Sequence, residues 1–199
     1  MKTRESGMPE RELWDTFFEP NAILTALGLT ESTGDTVDFG CGYGTFAIPA
    51  AQRIAGTLYG FDIEDAMIVE CARVASEQNL DNTRFIQRDF VETGTGLPEC
   101  SVEFVMLFNI LHAQESDRLL DEAMRVLRPG GRLGVIHWNY DPTTPRGPSM
   151  AIRPRPEQCR MRIQAAGFQC PGPTLDLKPY HYGLVGIKPA AARTNSDPA

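Results

Sequence analysis

The segment VDFGCGYGTF, Val37 to Phe46, sets glycines at 40, 42 and 44 directly behind a short apolar run, TVDF, at 36–39. Glycine at every second position lets the backbone turn tightly and keeps Cβ atoms away from whatever lies against it. An apolar, helix-forming stretch at 45–54 follows, with Pro49 in an early turn. The sequence therefore predicts a strand–turn–helix unit. In an open α/β sheet such a turn lies at the carboxyl ends of the strands, where ligands bind.

The remaining chain alternates in the same way. Strand-like runs stand at 57–63, 83–89, 102–111 and 131–138, separated by helical periodicity at 64–79 and 115–127. RPGG, 128–131, is expected to stop the second of these helices. A proline-rich connection at 141–156 leads to a helix at 157–166 and a closing pair of strands at 174–179 and 180–188. Ahead of the first strand, apolar residues from Leu13 to Leu29 fall at helical spacing but are interrupted at Pro20, which predicts two short helices. Alternating strands and helices imply an α/β fold, a doubly wound and mostly parallel seven-stranded sheet with one antiparallel edge strand. One domain is expected over 1–189, with 1–34 as a helical lid segment and 190–199 as a disordered tail.

Charge narrows the partners. The net charge of −7 argues against a nucleic-acid surface spread over the domain. It is unevenly distributed: residues 1–142 carry 11 Lys/Arg against 23 Asp/Glu, and residues 143–199 carry 8 against 3. The basic part is mainly arginine. No apolar run reaches the roughly 18 residues of a membrane span, and the first residues lack the apolar core of a signal peptide, so a cytoplasmic protein is expected. The cysteines at 41, 71, 100, 159 and 170 form no CxxC pair, which predicts reduced thiols and no metal site.

The polar residues at the strand ends carry the functional reading. Asp38 precedes the glycines, Asp62 closes the second strand, Asp89 the third and Asn109 the fourth. A carboxylate at position 62 is placed to accept hydrogen bonds from a ribose diol. A nicotinamide dinucleotide would call for G-x-G-x-x-G, but here the spacing is G-x-G-x-G with Thr45 following, and Asp38 suits an ammonium better than a pyrophosphate.

With VDFGCGYG, GFDI, RDF, FNILH and LRPGGRLGVIHW in this order over residues 37–138, the chain resembles the class I S-adenosylmethionine-dependent methyltransferases, most closely their small-molecule branch. The resemblance implies a direct methyl displacement that leaves S-adenosylhomocysteine. It implies that Asp38 and the backbone of Gly40, Cys41, Gly42 and Gly44 hold the methionine portion. Asp62 would bind the ribose and Ile63 would pack on the adenine. Asp89, with Phe90 beside it, would accept the adenine amino group, and Asn109 would lie near the reacting methyl.

His112 and His137 are candidate bases, weighed against plain packing roles. Arg146, Arg153 and Arg155 are candidates to hold an anionic acceptor by bidentate pairing, weighed against a solvated loop. Trp14, Phe17 and Phe18 could cover the cleft or simply pack. NILH departs from the N/D-P-P-Y/F pattern of enzymes that methylate nucleic-acid bases, so a small-molecule acceptor and no nucleic acid is expected, with a monomer or homodimer as the assembly. A thiolate-held arsenite acceptor is a lesser possibility. The alternative from another class is a non-catalytic cofactor-binding partner or regulatory subunit.

Overall fold

A computed structural model describes residues 9–190. The tail expected from 190 lies outside them apart from Ala190, as do residues 1–8 of the lid segment. Two short helices come first, α1 (Arg11–Asp15) and α2 (Pro20–Ala26), with Pro20 at the start of the second. This is where a fixed φ and a missing N–H are tolerated. Alternation follows: β1 (Thr36–Phe39), α3 (Ala47–Arg53), β2 (Leu58–Asp62), α4 (Asp65–Glu77), β3 (Thr83–Gln87), α5 (Phe90–Thr93), β4 (Val102–Phe108), α6 (Ser116–Val126) and β5 (Leu127–Trp138). The chain closes with α7 (Pro156–Ala165), β6 (Leu175–Leu177) and β7 (His181–Ile187).

The seven strands form one sheet in the order β3-β2-β1-β4-β5-β7-β6. β1 to β5 are parallel, and β7 runs antiparallel between β5 and β6. The reversed strand thus lies one place inside the edge, which β6 occupies. The central strands are buried on both faces and read as continuous apolar runs for that reason. Phe104 and Met106 of β4 face one layer with Ile23 and Leu24 of α2 and Ala50 of α3. Val105 and Leu107 face the other, with Leu119 and Leu120 of α6 and Ile163 of α7.

Two boundaries differ from the sequence expectation. The strand expected to begin at Gly131 begins at Leu127, so RPGG lies within β5 rather than between a helix and a strand. Leu127 pairs with Val102 across an irregularity in β4, and Gly130 and Gly131 exchange backbone hydrogen bonds with Lys188, so tertiary pairing captures the turn residues. The third strand ends at Gln87, and Asp89 instead caps α5 by accepting from the Glu92 N–H at 3.2 Å.

Candidate functional site

The glycine loop is built against the end of β2. Gly40 and Cys41 both donate backbone N–H groups to the Phe61 carbonyl, at 2.8 and 2.9 Å. Gly42 donates to Asp62 Oδ2 at 2.9 Å, and Glu64 N–H reaches Asp62 Oδ1 at 3.0 Å. Asp62 therefore clamps the loop as well as standing at the strand end. Gly40 and Gly44 both lie at φ +81° and Gly42 at +52°, conformations that side chains disfavour. A Cβ on Gly40 would project between Ile110 and Phe90, into the space the loop keeps open.

Above the carboxyl ends of β1, β2, β3 and β4 lies a cleft of about 1060 Å³, its open mouth included. Of the residues singled out in the sequence, Gly40, Gly42, Asp62, Ile63, Asp89, Phe90, Asn109 and His112 line it. Trp14 of α1 lines it too, while Phe17 and Phe18 are buried in the core. Asp38, Cys41 and Gly44 lie behind the loop rather than in the cleft wall. Asp38 is only 3% exposed, and burial, reinforced by the nearby Asp62 carboxylate, pushes its pKa up to about 7. Burial also raises Asp62, against the pull of the backbone N–H groups it accepts. Cys41 packs on Cys71, sulfur to sulfur at 3.9 Å.

The polar floor is made of histidines and Asn109. Asn109 ends β4 at φ +55°, a left-handed conformation that asparagine tolerates better than most residues. Its N–H donates to the Ile136 carbonyl, its Nδ2 lies 3.4 Å from His181 Nε2, and its Oδ1 is buried without a partner. His112 is half-buried, and burial holds its pKa below the usual imidazole value. His137 is the second candidate base of the sequence. It is fully buried behind the cleft, reaching it only through His112, with Nε2 3.3 Å from His112 Nδ1. Burial first, then the neighbouring His112, drives its pKa well down and keeps it neutral.

The arginines that are candidates to hold an anionic acceptor do not line the cleft. The Arg153 guanidinium is buried and donates to the carbonyls of Pro148, Asn139, Asp141 and Arg146, and to Thr144 Oγ1. It pins its own loop and has no donor left for an acceptor. Arg155 lies over the Tyr140 ring at 3.7 Å, and Arg146 is exposed on the same loop. Arg88, Gln114, Glu115 and His181 joined the site without being singled out in the sequence. The first three sit beside strand ends that were recognised, so proximity to RDF and NILH was the available signal. His181 had none, because only the reversed direction of β7 brings it there.

A family model described as a methyltransferase domain matches residues 36–131. The aklanonic acid methyltransferase DauC of Streptomyces sp. (strain C5) is 30% identical over 141 residues, 64% of this chain and 63% of that protein. The sterol 24-C-methyltransferase erg6 of Schizosaccharomyces pombe is 30% identical over 118 residues, 55% of this chain and 30% of that protein. The chain thus spans less than two thirds of the length of either relative. Among solved structures, a SAM-dependent methyltransferase from Aquifex aeolicus superposes with a TM-score of 0.77 at 22% identity, covering 86% of this chain and 90% of that one. Residues 36–131 thus match a methyltransferase domain, and the sheet order and glycine loop resemble those of the class I S-adenosylmethionine-dependent methyltransferases.

Proposed function

We propose that the protein transfers a methyl group from S-adenosylmethionine to a small, largely apolar acceptor. The observation that carries this reading is convergence. A glycine loop at positive φ and the polar groups that close or follow three parallel strands, Asp62, Asp89 and Asn109, meet in one cleft, and Asn109 keeps a buried side-chain oxygen, Oδ1, without a partner. Such a donor-poor, acidic end fits a ligand bearing ribose hydroxyls and an ammonium group. Asp62 and Asp89 would take the ribose and the adenine amino group, Ile63 and Phe90 would flank the ring, and Gly40, Gly42 and Asn109 would face the methionine portion. Asp38 would act from behind the loop, as a charge rather than a contact.

When bound, S-adenosylmethionine supplies an electrophilic methyl on a sulfonium. The chain's own contribution is to position and to exclude water, since displacement rewards alignment above all. Trp14, Phe108 and Ile110 give the acceptor side of the cleft an apolar wall. His112 is its neutral imidazole and can take a proton from a hydroxyl, with His137 fixing the ring from behind. An anionic acceptor is disfavoured. The three loop arginines lie elsewhere, Glu115 lines the cleft, and Arg88, which also lines it, commits Nε to the Gly94 carbonyl at 2.7 Å. Among the described residues no helix is long and apolar enough to cross a membrane. Relatives named for sterol and aklanonic acid substrates support a small-molecule acceptor.

Calorimetric titration with S-adenosylmethionine, S-adenosylhomocysteine and NAD tests the reading. We expect both adenosyl compounds to bind and Asp62→Ala to weaken both. Binding of NAD alone, or of none, would overturn it.

A further inference from the structure

We infer that His181, the first residue of β7, is a positioning residue that turns the Asn109 side-chain carbonyl toward the charged end of the cofactor. The inference rests on the function proposed above. Among the described residues, the buried side-chain N and O atoms without a partner are Asn109 Oδ1, His137 Nδ1 and His181 Nδ1. All three sit on one small patch, the floor beneath the cleft, where Trp138 of β5 pairs with His181 of β7.

The His181 ring cannot swing. It lies between Phe18 at 4.6 Å and Trp138 at 4.3 Å between ring centroids, fully buried. Burial and the nearby Arg153 hold its pKa down at about 3, so it is neutral at any working pH. A neutral imidazole has one donor nitrogen and one acceptor nitrogen. The group facing His181 Nε2 at 3.4 Å is Asn109 Nδ2, which can only donate. With the amide in this orientation Nε2 is the acceptor and the proton resides on Nδ1. The amide orientation and the imidazole tautomer are locked together, and Asn109 Oδ1 is left turned away from His181.

That oxygen has no protein donor, although a buried acceptor left unpaired costs on the order of 1–3 kcal/mol. The strained left-handed backbone of Asn109 holds it there, an arrangement found where a site is preorganised. Without His181 the amide is free to rotate half a turn and present its NH2 group to a cation. The penalty falls on the sulfonium form, because S-adenosylhomocysteine keeps the amine but lacks the charged sulfur.

The test uses His181→Phe, which keeps a ring between Phe18 and Trp138 but removes both nitrogens, and His181→Gln, whose side-chain oxygen can accept from Asn109 Nδ2. Affinities for S-adenosylmethionine and S-adenosylhomocysteine are measured by calorimetry, with thermal unfolding in parallel. We expect His181→Phe to lose about tenfold in S-adenosylmethionine affinity and at most about threefold in S-adenosylhomocysteine affinity, and His181→Gln to restore the ratio. A merely structural role would weaken both ligands alike. Nitrogen-15 NMR of the unaltered protein gives a readout that needs no variant, and the Nδ1-protonated form of His181 is expected. An Nε2-protonated form, an unchanged affinity ratio in His181→Phe, or equal losses for both ligands would overturn the inference. Failure of the unaltered protein to bind either adenosyl compound would instead overturn the function on which it rests.

Discussion

Asp38 holds its carboxyl in a place with almost no water, and its pKa of about 7 makes the fold sensitive to pH. Its ordinary value is 3.8, so between about pH 4 and pH 7 the unfolded chain releases a proton that the folded chain retains. Stability from this group is thus fully present below pH 4 and is lost as pH rises through 7. Asp38→Asn should be as stable as the parent below about pH 4, already more stable at pH 5 and more so at pH 8, read as thermal midpoints across that range. A cationic ligand end acts in the opposite sense, drawing the proton off Asp38 as it binds. Affinity for S-adenosylmethionine should therefore rise between pH 6 and pH 8 with proton release, and the release should vanish in Asp38→Asn. Titration in buffers of different ionisation enthalpy would show it. Gly44 makes a different residue-scale case. A Cβ there would stand 3.0 Å from Ile48 Cγ1 and 3.1 Å from Cys71 Sγ, at a φ that alanine resists. Gly44→Ala should cost about 1–3 kcal/mol in urea unfolding.

Helix α1 is too short to be stable by itself and is held by what it touches. Arg11 pairs with Glu70 of α4, Asp15 Oδ1 accepts from Thr45 Oγ1 at 2.7 Å, and the Pro9 carbonyl accepts from Tyr43 OH at 3.2 Å. Its one side chain in the cleft, Trp14, is half-buried against Phe18 and Trp138. Trp14→Ala should leave the melting temperature within a few degrees while speeding cofactor release several-fold, measurable by stopped-flow fluorescence of a bound analogue. Phe18→Ala, by contrast, empties a core position and should cost about 3–5 kcal/mol. The aromatic spacing at 14, 17 and 18 could not separate these roles, because α1 ends at Asp15 and the turn after it carries the chain from cleft to core within four residues. Elements with continuous apolar runs, such as β4 and β5, were legible because both their faces are buried. The RPGG turn was misplaced because hydrogen bonds from Lys188, 57 positions onward, recruit it into the sheet.

At the scale of the whole molecule, the excess of arginine in the last third serves carbonyl oxygens. Arg153 ties the 139–148 loop together, Arg160 donates to the carbonyls of Cys170 and Gly172, and Arg162 donates to that of Leu111. Composition recorded the charge but not this use, since a guanidinium that organises a loop and one that grips a ligand look the same in sequence. Arg153→Met should lower the melting temperature by several degrees yet leave cofactor affinity unchanged, as scanning calorimetry and titration would establish. Much of the cleft lining was legible in the strand-end residues Asp62, Asp89 and Asn109. His181 was not, because its place depends on strand order and direction.

The reversed course of β7 also fixes where the chain leaves the domain. His181 starts that strand at the cleft end, and Ile187 finishes it opposite Arg132, beside the start of β5. Pro9, in contrast, accepts from the hydroxyl of Tyr43, which stands in the glycine loop. A tether or fused reporter attached beyond residue 190 would therefore hang from the far pole of the sheet, leaving ligand traffic free. The same attachment at residue 9 would sit beside the glycine loop.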